Sequence, residues 1–236
     1  MAPSEHPAAT RRAWGLDQPR RSGPRASITT SQIIDAGIAL ADAGGLEACS
    51  MPKLASSLGV GTMSLYRHID DKAELTALMR DYAIGPVPPD APRMGPWDEA
   101  MRFYADTMSE RYFAHPWLLD VPITGFPQTP RVLDWVEFGL AALTAAGLSP
   151  RTALRSTLLL DGQVTAAARL RRDSGPDDET RSLSDLLDVE DYPALRSTIA
   201  TGVLADKTFD DGGLQFGVGV IIEGIRALLE EDPPSA

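Results

Sequence analysis

The chain has one cysteine, three histidines and aromatic side chains at only 6% of its 236 positions. Each scarcity closes a class of explanation. Cys49 has no second cysteine to pair with, so an internal disulfide is excluded and a thiolate zinc site has no ligand set; the residue reads as a small buried hydrophobe. His6, His68 and His115 fall at no metal-ligand spacing, so neither a metal nor a cofactor is expected. No apolar run approaches the roughly 18 residues that mark a membrane span. Residues 1–28 mix Arg, Pro and Ala without the apolar centre of a secretory signal, so a cytoplasmic chain with no membrane partner is the expectation. A Gly-rich phosphate loop and a nucleophile beside an evident base are also missing, which leaves an enzyme without machinery. No segment alternates like a strand, and the expected fold class is all-α.

Charge is abundant but unevenly placed. The net of −11 argues at first against a polyanionic partner, yet residues 1–28 carry five Arg against Glu5 and Asp17, while residues 29–84 carry four basic and seven acidic side chains. The two segments cancel, so the whole acidic excess belongs to residues 85–236 and does not exclude a nucleic-acid partner for the first part.

Punctuation divides the chain. Residues 1–28, with four prolines and no apolar period, are expected to be a flexible basic arm. Thr29 and Gln32 form a capping-box pattern with Ile28 and Ile33 at staple positions, opening a helix that ends at Gly44 and Gly45. Ser50 caps a second, short helix carrying Leu54, Ala55 and Leu58. Gly59 turns into a third helix, and Asp71 with Glu74 reads as a second capping box opening a fourth, whose stripe is Leu75, Leu78, Met79 and Tyr82. Five prolines in residues 85–96 forbid helix and mark a boundary. This gives a helix-turn-helix domain with its connecting helix over 29–84 and a larger helical domain over 85–236. Helices in the latter are expected at about 97–114, 128–146, 149–172, 184–201 with a break near Pro193, and 210–230. A polar loop is expected at 172–180.

Residues 50–68 have what a steep helix crossing requires: Ala55 as the small residue, Leu54 and Leu58 facing inward, Gly59 for the turn and Val60 as a plug, with Leu65 and Ile69 holding the third helix down. With Leu65 inward, Met63 and Arg67 face out and Ser64 and Tyr66 flank them. A recognition helix offers its first residues to base edges, which makes Thr62, Met63 and Ser64 candidates for readout. Tyr66, His68 and Lys72 suit phosphates, and the helix start at Ser50 favours a phosphate oxygen. The same pattern also serves plain packing, with Tyr66 as a domain-edge aromatic and His68 as a solvated cap.

Residues 29–79 resemble the TetR family of bacterial transcriptional repressors. The resemblance rests on the runs 39–46 (ALADAGGL), 50–55 (SMPKLA) and 58–69 (LGVGTMSLYRHI), followed by Lys72 and Leu75. The run 214–228 resembles the last helix of the branch with a tetracycline-repressor-like C-terminal domain. The resemblance implies a homodimer that occupies a palindromic double-stranded operator until a small-molecule inducer enters the second domain, with Thr62, Ser64, Tyr66, His68 and Lys72 as DNA contacts. Where relatives often carry an Arg near the start of the second helix, this chain has Met51 and Pro52, which weakens base contact from there. The Arg-rich arm either compensates or is a solubility tail.

The second domain also offers a dimerisation face and a ligand site. Gly217, Val220, Ile221, Gly224, Ile225 and Leu228 on the last helix, with Leu158 and Val164 on the helix at 149–172, could build a four-helix interface between two chains or an intramolecular core. Apolar and aromatic walls with a few polar groups make a pocket; the candidates are Phe103, Tyr104, Met108, Trp117, Trp135, Phe138, Asp161, Gln163 and Thr165, some of which would be ordinary core. The alternative to a ligand is a regulator that answers to a protein partner, or to none.

Overall fold

In the computed structural model, which describes residues 6–16, 28–123, 125–173, 192–202 and 212–231, the Thr29 hydroxyl accepts the Gln32 amide at 3.2 Å and the Gln32 side chain accepts the Thr29 amide at 2.9 Å. This capping box starts α2 (Thr30–Gly44), which Gly45 closes at φ 75°. A single 3-10 turn (Leu46–Ala48) leads to α3 (Met51–Ser57), capped by Ser50, with Pro52 in the first turn where no helical donor is lost. Gly59, at φ 64°, reverses the chain into α4 (Thr62–Leu65). Behind them runs α5 (Lys72–Ile84). A Cβ on Gly37 would stand 2.8 Å from Met79 Sδ, so α2 and α5 cross at a point that admits only hydrogen. Cys49 fills the space beside it, its Sγ 3.9 Å from Met79 Sδ, and burial pushes its thiol up.

The second capping box forms differently from expectation. Asp71 accepts the Glu74 amide at 2.7 Å, but the Glu74 carboxylate takes the Asp70 amide and the Arg12 guanidinium instead of reaching the Asp71 amide.

The second domain consists of α6 (Trp97–Ala114), a 3-10 turn (Pro116–Asp120), α7 (Pro130–Ala145), α8 (Pro150–Asp173), α9 (Pro193–Ala200) and α10 (Gly212–Glu231). Helices α6, α7 and α8 pack on one another, and α10 lies against α8 and α6. Among the described residues all regular structure is helical. A Cβ on Gly139 would meet Thr157 Cγ2 at 2.7 Å, which explains a glycine inside α7 where α8 presses closest. Helix α9 begins at Pro193, where a break was expected; residues 174–191, holding most of the expected polar loop and the start of that helix, lie outside the described residues.

The arm needs correction. Ala8–Ala13 form a short helix, α1, which packs on α5. The Thr10 hydroxyl donates to Gln128 Oε1 at 3.2 Å, the Trp14 indole donates to the Gln128 carbonyl at 2.9 Å, and Arg12 Nε donates to Glu74 Oε1 at 2.6 Å. These anchors are polar and joined to residues more than sixty positions away, so an apolar period could not announce them. Residues 1–5 and 17–27 of the expected arm lie outside the described residues.

Candidate nucleic-acid interface and ligand-binding core

Helix α4 is a single turn. The Tyr66 amide closes it on the Thr62 carbonyl at 3.4 Å, four residues back, and the His68 amide then bonds the Leu65 carbonyl at 2.8 Å, three residues back, which tightens the chain into a turn. Arg67 and His68, placed by periodicity on a longer helix, therefore lie in the turn that follows it. Leu65 and Ile69 are fully buried and fix the orientation. Met63 is left 75% exposed and Tyr66 42% exposed, with Arg67 and Lys72 also exposed and Thr62, Ser64 and His68 half-buried at the edges. The arrangement presents a narrow ridge, one apolar side chain at its crest and hydroxyls beside it. Ser50 is half-buried, its hydroxyl accepting the Lys53 amide at 3.4 Å, so its first role is to cap α3.

Helix α5 ties this ridge to the second domain. Buried Asp81 accepts the amides of Arg131 at 2.9 Å and Val132 at 3.3 Å and the Arg131 guanidinium at 2.9 Å, so a carboxylate on α5 satisfies the first donors of α7. The Arg131 guanidinium also lies over the Tyr82 ring, 3.7 Å from its centroid. The Trp135 indole donates to the Gly85 carbonyl at 3.0 Å. A second tie runs through α2: Asp42 Oδ1 accepts the Trp117 indole at 2.7 Å and lies 2.8 Å from His115 Nδ1. Trp117, taken from the sequence as a pocket residue, is a strut between the two domains. Its indole N–H needed a partner, and one was available on α2.

The remaining pocket candidates divide into two groups. Phe103 stacks on Trp135 with centroids 6.3 Å apart and meets Phe138 edge-on at 6.0 Å, while Tyr104 meets Trp135 edge-on at 5.5 Å. With Met108 buried in the same core, this group is packing. The second group is polar. The Tyr104 hydroxyl donates to Asp161 Oδ1 at 3.1 Å, and Thr165, one turn along α8, donates to the Tyr112 hydroxyl at 3.3 Å. Burial pushes the Asp161 carboxyl up, against the Tyr104 hydrogen bond and the Arg80 charge. Burial, and then the Asp161 charge, push both phenols up, Tyr104 strongly. Gln163 points the other way, to the Gly213 carbonyl of α10 at 3.3 Å. Tyr112 and Arg80 were missed. Tyr112 lies two turns beyond Tyr104 on α6, a spacing the sequence shows, whereas Arg80 lies on the face of α5 away from its apolar stripe, and its nearness to Asp161 follows only from how α5 meets the second domain.

The dimerisation candidates also divide. Val164 and Ile225 are buried inside the chain, so for them the intramolecular alternative holds. Gly217 makes room for Gln163, whose Nε2 would lie within bonding distance of an added Cβ. Leu158, Val220, Gly224 and Leu228 are exposed and Ile221 is half-buried; Leu159 and Phe216 extend the same exposed apolar character on α8 and α10.

A glycine-turned helix pair bearing an exposed ridge, fastened by a connecting helix to a separate helical domain with a polar core, defines a helix-turn-helix transcriptional regulator. The description "Bacterial regulatory proteins, tetR family" matches residues 33–79, and "Tetracyclin repressor-like, C-terminal domain" matches residues 88–229. The chain belongs to the TetR family. It is 32% identical over 236 residues to the HTH-type transcriptional repressor DrrR1 of Streptomyces coeruleorubidus, covering 92% of this chain and 84% of that one. Its fold is similar to apo ActR of Streptomyces coelicolor, with TM-score 0.77 and 27% identity over 88% of this chain and 99% of that one. It is also similar to ActR in complex with actinorhodin, with TM-score 0.72 and 26% identity over 86% and 97%. Members of the family are transcriptional regulators, not enzymes. Among the described residues no helix is long and apolar enough to cross a membrane.

Proposed function

We propose that the protein is a homodimeric repressor that grips a palindromic operator through Thr62, Met63 and Ser64 on base edges and through Ser50, Tyr66, Arg67, His68 and Lys72 on the backbone. A small hydrophobic or amphipathic ligand entering the second domain releases it. One observation carries this reading: α5 bears Lys72 at the ridge, Arg80 near the half-buried Asp161, and Asp81 locked to the first turn of α7. A ligand that rearranges Tyr104, Asp161 and Tyr112 would therefore act on the helix that aims the ridge. That ActR is held in complex with actinorhodin in one structure supports a ligand for this chain as well. The exposed apolar faces of α8 and α10 support pairing of two chains, which would set two ridges one helical repeat of DNA apart, about 34 Å.

The test is release. A duplex enriched by the full chain from a random-sequence pool is bound, and a panel of aromatic and amphipathic compounds is added in a gel shift. Release by a compound that no longer acts on Asp161→Leu is the expected result. Release by none, across a broad panel, contradicts a ligand-gated repressor.

A further inference from the structure

A cavity of about 690 Å³ opens between α1, the outer face of α5 and the chain leading into α7. We propose that it is a second ligand site, adjoining the polar core of the second domain at Arg80, and that it takes a small amphipathic anion. Its size is within the range of about 300–1,000 Å³ that holds small molecules. Leu46, Ala77, Val121 and Phe126 give it apolar walls, and Phe126 is left 55% exposed. Lys72 and Arg80 line it two turns apart on α5, roughly 12 Å along the axis. Among the described residues no Asp or Glu lines it, in a chain with 33 acidic residues against 22 basic ones. Lys72 forms no ion pair among the described residues, whereas Arg80 shares its charge with Asp161. Two of the hydroxyls nearby are already engaged: that of Thr10 donates to Gln128 Oε1 and that of Thr76 to the Lys72 carbonyl. What the cavity leaves unmet is apolar surface and positive charge, which fits an aromatic or aliphatic body carrying a carboxylate or sulfonate. The three walls are the arm, the connecting helix and the second domain, so an occupant fastens all three together. It also draws Lys72 away from DNA phosphate, a consequence that rests on the phosphate role proposed above for that lysine.

The dye 8-anilinonaphthalene-1-sulfonate has this chemistry and brightens in apolar surroundings. Titrated into the full chain, it should bind saturably. Ala77→Phe, which fills the cavity, and Lys72→Gln, which removes one of its two cations, should each weaken it at least fivefold while thermal unfolding by circular dichroism stays cooperative. Phe126→Ala, on the opposite wall, serves if Ala77→Phe fails to fold. No saturable binding, or affinity within twofold of the parent in the folded variants, overturns the proposal. Either result is independent of whether the operator experiments succeed.

Discussion

Asp161 is held in the protein at a higher proton affinity than in an unfolded chain, because burial outweighs the Tyr104 hydrogen bond and the Arg80 charge. The native state thus binds more protons than the unfolded one once pH rises above the ordinary carboxylate value near 3.8. Its contribution is fully present below that value and is lost as pH rises through the raised folded value. Asp161→Asn keeps an acceptor for Tyr104 and removes the charge; urea unfolding should find it more stable than the parent at pH 7.5, with the gap closing toward pH 4. A gap independent of pH would contradict an ionised carboxylate held in a poorly solvating site. At the ridge, Lys72→Gln should weaken operator binding alike for matched and mismatched duplexes and flatten the slope of log K against log salt by about 1 for each phosphate no longer neutralised. Ser64→Ala should instead change which bases are preferred. Among these residues, the ridge was legible because one buried leucine and a 100° step fix its neighbours. The polar core was only half legible: Asp161 and Gln163 stood out as polar side chains inside an apolar helix, but Trp117 and Gln163 satisfy their donors on α2 and α10, pairings that no local pattern encodes.

Helices that end in capping residues and glycines could be bounded from the sequence to within a residue or two, as α2 and α5 show. Helix α1 could not, since what holds it is Arg12 on Glu74 and the threonine and tryptophan on Gln128. The side chain of Glu74 is almost wholly buried, so removing its cation leaves a charge poorly paired. Arg12→Ala should cost about 2 kcal/mol, which in a chain of this size lowers Tm by roughly 4–8 °C. Unchanged Tm would show that α1 contributes nothing to the folded state. Contact between α7 and α8 makes a similar demand: Gly139→Ala drives a methyl into buried Thr157 and should cost about 1–3 kcal/mol in urea unfolding.

For the whole molecule, charge is partitioned: the acidic excess belongs to the second domain, leaving the reading head and arm near neutrality. Among the described residues, Asp81 to Arg131 and Asp42 to Trp117 are connections that each pair a residue of the first domain with one of the second, and Thr10 and Trp14 add the arm through Gln128. The two-domain plan was legible because prolines between Gly85 and Pro96 interrupt every period; the struts were not, since they depend on how the domains meet. Among the described residues, Leu158, Val220 and Leu228 are left exposed on α8 and α10, Val220 being 56% exposed. Val220→Glu should give monomers in sedimentation velocity and operator affinity lowered by at least tenfold. The central claim is sequence-specific reading by α4, and selection of duplexes from a random pool by the full chain tests it most directly. Enrichment of two inverted half-sites, with base preferences inside each that shift in Ser64→Ala, is the outcome expected. A pool that stays unenriched while the protein remains folded and paired would contradict it.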